Sequence, residues 1–150
     1  MDLSAEQLKI VQATEPKIAV VGPPGTGKTR VLTERIKYLL NSGVAPKDIV
    51  AITFTNFAAN EMKNRLPECK DMFVGTMHSY AIQLLIKNHV PCNIQEMIEK
   101  EKFDLIIKTA TNANMSLDTI KYLFVDEVQD LCNHEFSFIK CLIWSFLTNN

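Results

Sequence analysis

At 150 residues the chain has the length of one domain, and its 47% hydrophobic and 22% charged residues are ordinary for a globular protein. A formal net charge of −1 excludes any argument for a nucleic-acid partner from bulk charge, so such a partner must be argued from local groups. Met1 to Gln12 carries charges throughout and lacks the apolar centre of a signal peptide, and the richest apolar stretch, Phe136 to Leu147, is broken by Lys140. No membrane association is therefore expected, and the chain reads as intracellular. Cys69, Cys92, Cys132 and Cys141 form no C-x-x-C pair, and they are expected to be reduced thiols packed as small hydrophobes.

Along the chain, helical and strand patterns alternate, the signature of a parallel α/β sheet. Leu3 to Ala13 is predicted helical, with Ser4 as its N-cap and Glu6 and Gln7 in the first turn. Lys17 to Val21 is predicted to be a short buried strand, and Arg30 to Leu40 an amphipathic helix ending near Asn41-Ser42-Gly43. Asp48 to Phe54 is an apolar second strand. A helix is predicted from Phe57 to Leu66, with Ala58, Met62 and Leu66 on one face and Pro67 closing it. Met72 to Thr76 follows as a strand, Met77 to Asn88 as a helix stopped by Pro91, and Gln95 to Thr111 as another helix. After an Asn112-Ala113-Asn114 loop, Tyr122 to Val125 is a fourth strand running into Asp126-Glu127, and His134 to Leu147 is a final helix.

The segment between the first strand and its helix carries chemistry. Gly22-Pro23-Pro24-Gly25-Thr26-Gly27-Lys28-Thr29 matches the phosphate-cradling pattern G-x-x-x-x-G-K-[ST] at every fixed position. The glycines let successive backbone N–H groups turn toward phosphate oxygens beside the positive end of a helix. Lys28 would reach the β- and γ-phosphates, and the Thr29 hydroxyl would hold Mg²⁺. A glycine turn before an ordinary helix is the bland competitor, disfavoured by an eight-residue match in strand–loop–helix context. The chain is expected to bind a nucleoside triphosphate.

A second site follows the Tyr122 strand. Four apolar residues lead into two acids at a strand's carboxyl end, the edge where open α/β sheets bind ligands. Asp126 is placed to hold Mg²⁺, and Glu127, pointing differently, could take a proton from an attacking water. Gln129 adds an amide that could sense the γ-phosphate or that water. Alone this is as readily an acidic turn; with an upstream phosphate loop, the functional reading is favoured.

Phosphate loops are common to kinases, transporters and motor ATPases, and the remaining motifs choose among them. Leu3 to Gln7 with Ile10-Val11 resembles the Q motif of superfamily 1 DNA helicases, and Gly22 to Arg30 their motif I. Ile52-Thr-Phe-Thr-Asn-Phe-Ala-Ala-Asn-Glu-Met62 resembles motif Ia, the TFTNxAAxEM signature of the UvrD/Rep/PcrA-like branch. Gly75-Thr-Met-His-Ser79 resembles motif Ib and Val125-Asp-Glu-Val-Gln-Asp130 motif II. The resemblance covers almost the whole chain. It implies a RecA-like P-loop NTPase core and ATP-driven unwinding of DNA or translocation along single-stranded DNA, with ATP and Mg²⁺ as cofactors. By the resemblance, Gln7 would read the adenine edge, and Arg30 would join Gly22 to Thr29 at the nucleotide. Phe54, Asn56, Thr76, His78 and Ser79 match positions that touch single-stranded DNA, where rings stack on bases and hydroxyls meet phosphates. Core packing of Phe54 and a capping or packing role for His78 are the competing readings.

Departures from the pattern matter equally. Phe57 stands where the family usually has lysine, Met77 replaces an aromatic, and Leu131-Cys132 replaces Thr-Asn. The accessory insertion of the family is reduced to about residues 80–121 of a single 1–150 domain. The 150 residues stop before motif III, whose strand in this family lies between the phosphate-loop strand and the Asp126 strand. The core is thus expected to be incomplete: the two strands close on each other, another chain fills the gap, or the piece folds poorly. The second motor domain, which contributes arginines across the cleft, also lies beyond it. The leading expectation is an ATP-dependent helicase N-terminal portion, weak or inactive by itself, whose partners are single-stranded DNA and a second motor domain or full-length helicase. The alternative is a non-catalytic nucleotide- or DNA-binding module that regulates a full helicase; the exposed apolar helix Phe136 to Leu147 would suit that role. A phosphate-loop ATPase of the AAA+ type is a third reading, opposed by TFTN and DEVQD.

Overall fold

The run Ile49-Val-Ala-Ile-Thr53 is dense in β-branched residues, and it forms the central strand β1 (Ile49–Thr53) with all five residues buried. The computed structural model, which describes residues 3–67, 71–91, 99–113 and 120–148, places β2 (Phe73–Thr76) and β3 (Tyr122–Val125) on either side of it. The order is β2-β1-β3 and both pairings are parallel. Thr53 lies opposite Thr76, and Ile52 opposite Val125, so the three strands finish at one edge. An ion pair between buried Asp48 and the exposed Lys121 side chain fastens the other end. Lys121 Nζ donates to Asp48 Oδ2 at 2.7 Å and Lys121 N to the Asp48 carbonyl at 2.8 Å, which sets the start of β3 against that of β1.

Alternation along β1 sends its side chains to two cores. Ile49 and Ala51 meet Ile36 and Leu39 of α2 (Lys28–Asn41) and Met62 of α3 (Asn56–Arg65). Val50 and Ile52 meet Tyr80, Ala81, Leu84 and Leu85 of α4 (Met77–Lys87), Ile106, Ile107 and Ala110 of α5 (Glu99–Asn112), and Phe138, Ile139 and Leu142 of α6 (Asn133–Thr148). Helices thus cover both faces, as a parallel sheet requires. Within the segment 80–121, Tyr80, Ala81, Leu84, Leu85, Ile106, Ile107 and Ala110 belong to this second core. A further helix, α1 (Ala5–Gln12), packs on α2 through Arg35, whose Nη1 donates to the Ile10 and Val11 carbonyls at 3.0 Å each and so satisfies the last turn of α1.

Local signals behave as their chemistry demands. Ser4 caps α1 in a reciprocal capping box with Gln7. Thr55 caps α3 by accepting from Ala58 N at 3.1 Å. Leu66, the residue before Pro67, is extended at φ −96 and ψ 153, ending α3 where the proline forbids helix.

One predicted element is absent. Lys17 to Val21 is not a strand: among the described residues β3 pairs with β1 alone, and Ile18, Val20 and Val21 are 39, 40 and 95% exposed. The phosphate-loop segment and the Asp126 strand do not close onto each other. A strand exists only when a neighbour takes its N–H and C=O groups, and this apolar run has none. Two lesser corrections follow. Cys132 and Cys141 are exposed, not packed inside, while Cys69 and Cys92 lie outside the described residues, as do the expected helix start at Gln95 and the loop residue Asn114. In α6, Phe138, Ile139 and Leu142 are buried, and among the residues whose burial is described Phe136, Ile143 and Trp144 show large exposed apolar surface.

Candidate functional site

The phosphate loop leads straight into α2. Gly25 and Gly27 stand at φ +80 and +83, where a side chain is strained, and Gly27 is the residue before the first helical turn. Thr26 closes the loop on itself, its Oγ1 donating to the Pro23 carbonyl at 2.8 Å. Lys28 Nζ donates to the Gly22 carbonyl at 3.1 Å and the Pro23 carbonyl at 3.3 Å, so the ammonium lies against the loop it would share with a triphosphate. Gln7 reaches the same loop. Its Nε2 donates to the Thr26 carbonyl at 3.2 Å while its Oε1 accepts from Ser4 N at 3.0 Å, which ties α1 to the loop with both ends of one amide.

Asp126 follows β3 at the sheet edge, is 7% exposed, and joins the loop across 97 positions: Thr29 Oγ1 donates to Asp126 Oδ2 at 2.7 Å. The other carboxylate oxygen accepts from Glu127 N at 3.1 Å. Glu127 itself is left-handed at φ 53, ψ 45, a conformation that costs a non-glycine residue. A short hydrogen bond from Gln129 Nε2 holds the Glu127 carboxylate, and the turn Val128–Asp130 is closed by Asp130 N donating to the Glu127 carbonyl at 3.0 Å.

Beyond β1, the edge presents the residues that resemble a DNA contact surface. Phe54 is 47% exposed, outside both cores, and Asn56 opens α3 on the surface. Thr76 caps α4, accepting from Ser79 N at 3.3 Å, while Ser79 Oγ donates to the Thr76 carbonyl at 2.8 Å. His78 turns inward from that edge. Its ring lies 4.4 Å from the Phe103 ring centroid, and Nε2 is 3.8 Å from Glu135 Oε1. Burial depresses the pKa of His78 against the opposing pull of Glu135 and Asp104.

Two residues here were not singled out from the sequence. Glu135 is 7% exposed, and its Oε2 accepts from Cys132 N at 2.9 Å, so it links the turn after Asp130 to His78. Its signal was an acid at the third position of α6, half of a capping box. Thr53 ends β1 with a buried hydroxyl that has no hydrogen-bond partner among the described residues; it is the first threonine of the TFTN segment, but that pattern does not say that its hydroxyl is buried.

The model of the UvrD/REP helicase N-terminal domain family matches residues 3–116. The chain belongs to this family. It is 32% identical to the ATP-dependent DNA helicase PcrA of Staphylococcus aureus over 143 residues, 87% of this chain and 20% of that protein. Identity to the ATP-dependent DNA helicase SRS2 of Saccharomyces cerevisiae is 38% over 102 residues, 60% of this chain and 9% of that protein. The PcrA of Staphylococcus epidermidis matches at 42% over 90 residues, 56% of this chain and 12% of its own length. The chain therefore spans a fifth or less of the length of these relatives. No helix among the described residues is long and apolar enough to cross a membrane.

Proposed function

We propose that this chain is the ATP-binding part of an ATP-dependent DNA helicase or translocase, taking ATP with Mg²⁺ at the Gly22–Thr29 loop and single-stranded DNA at the edge formed by Phe54, Asn56, Thr76 and Ser79, with His78 turned in behind it. The observation that carries the reading is the 2.7 Å bond between Thr29 and Asp126. A hydroxyl and a carboxylate from opposite ends of the chain meet as two hard oxygen donors beside the phosphate loop, the donor type and small number that Mg²⁺ takes from protein. Bound there, the cation would neutralise charge on the β- and γ-phosphates.

Around it the chain's residues divide the work. Gly22, Pro23, Pro24, Gly25, Thr26 and Gly27 shape the cradle, and Lys28 leaves the Gly22 and Pro23 carbonyls for the phosphates. Arg30 flanks the nucleotide, and Gln7, already on the loop, reads the adenine edge. Glu127 accepts the proton of the attacking water, with Gln129 holding its carboxylate in line. Hydrolysis by the chain alone is slow in this reading, because stabilisation of the transferring phosphoryl group by arginine is worth about 10³ to 10⁵ in rate. Among its own arginines, Arg35 is engaged with α1 and Arg65 with Glu61. The partners are therefore single-stranded DNA and a second motor domain or full-length helicase, in an intracellular setting. The segment 80–121 takes the place of the family's accessory insertion.

A fluorescent ATP analogue titrated with and without Mg²⁺ tests the reading. Tight Mg²⁺-dependent binding is expected, weakened at least tenfold by Asp126→Asn and retained by Glu127→Gln, which should lose any DNA-stimulated turnover. Binding indifferent to Mg²⁺ and to Asp126→Asn would refute it.

A further inference from the structure

The sheet edge carries a second exposed ring that none of the motif positions above uses. Phe57, in the first turn of α3, is 79% exposed, and Phe54, three positions earlier, is 47% exposed. Neither ring belongs to the two cores. Between them Thr55 is committed to capping α3, while Asn56 stands on the surface. The first acid on α3 is Glu61, and it is paired with Arg65, so no unpaired carboxylate on this helix repels a polyanion. Thr53, just before Phe54, lies in register with Thr76, which places the Thr76 and Ser79 hydroxyls one strand away. At the position of Phe57 the resembling pattern carries a cation; here it carries a π face.

We propose that Phe57 stacks on a base of single-stranded nucleic acid, forming with Phe54 a two-ring platform that grips the strand by its bases where a lysine would grip its backbone. The inference rests on the single-stranded DNA reading above and sharpens it to a mode of contact. Bases meet an aromatic face without regard to sequence, and the amide of exposed Asn56, between the two phenylalanines in sequence, can hydrogen-bond a base edge or sugar. A grip of this kind needs bases and is little affected by salt, whereas a lysine grip needs only phosphates and weakens with salt.

Fluorescence anisotropy with a labelled oligo-dT and an abasic strand of equal length, over a range of salt, separates these outcomes. The wild-type chain should prefer dT to the abasic strand. Phe57→Ala should lose about 5- to 150-fold for dT and almost nothing for the abasic strand, with an unchanged salt slope. Phe57→Lys should regain affinity at low salt and steepen the slope by about 0.7. Phe57→Trp, in a Trp144→Phe background, should be quenched on adding dT. Because Phe57 is outside the cores, circular dichroism of each variant should match the wild type. If the chain binds dT and Phe57→Ala keeps both affinity and base preference, this inference falls and the DNA reading stands. If Phe57→Leu binds as well as wild type, the contact is apolar area without stacking, and the inference falls likewise. If the wild-type chain binds no strand at any salt, both fall.

Discussion

Lys-Ile-Ala-Val-Val at 17–21 and Ile-Val-Ala-Ile-Thr at 49–53 are near-equivalent as sequences, and the molecule treats them oppositely. The second is a buried central strand with a parallel neighbour on each side. The first forms no strand, and Val21 is 95% exposed. Apolar content and β-branching describe what a strand needs from its faces; they say nothing about whether its edges will be met. β1 has β2 and β3 to receive its N–H and C=O groups, and 17–21 has no strand among the described residues. Yet the loop that follows 17–21 is tied to the sheet edge by the Thr29–Asp126 bond and to α1 by the Gln7–Thr26 bond.

Hydrogen exchange should show the contrast at its largest. Amides of β1 should open only with global unfolding, at about 5 to 15 kcal/mol, whereas those of 18–21 should exchange at nearly free rates. Equal protection in both would mean that the first stretch is paired in solution. In urea titration, Ile52→Ala should cost about 2 to 5 kcal/mol, and Val21→Ala no more than about 0.5. A large loss from Val21→Ala would show that side chain to be buried after all.

Removing the buried hydroxyl in Thr53→Val should stabilise the fold by about 1 to 3 kcal/mol, since the donor it deletes has no partner. A loss instead would reveal a hydrogen bond to water or to a group at the site. Where 17–21 ends in the loop, Gly27→Ala forces a side chain into φ +83 and should cost about 1 to 2 kcal/mol while weakening nucleotide binding.

The smallest effect concerns pH. His78 has a folded pKa below its ordinary 6.5, so between the two values the unfolded chain binds more protons and stability rises with pH. The melting temperature should therefore be maximal above that ordinary value and fall as pH drops through the depressed one. Substituting glutamine for His78 should flatten that fall, and an unchanged slope would place the pH sensitivity elsewhere.

Much of the fold was legible because its signals are local. The capping box at Ser4, the proline after Leu66 and the continuous apolar run at Tyr122 each depend on a few neighbouring residues, and each of these elements formed within about two residues of expectation. The candidate site was legible for a different reason: the loop glycines and the acid pair after β3 are chemical requirements on residue type. The missed features are non-local. Whether His78 faces out or against Phe103, whether Glu135 sits in a buried link, and whether Phe54 joins a core depend on helices many positions away.

By itself, then, the sequence determined where the chain turns, which residues match a phosphate-cradling pattern, and the family to which the chain belongs. Only the tertiary structure decided that 17–21 forms no strand, that Thr29 and Asp126 meet, and that two phenyl rings share one open edge. The reason is physical. Backbone geometry and capping are settled within one helical turn, whereas pairing, burial and contact between sites are settled by which distant groups the fold brings within about 3 to 4 Å.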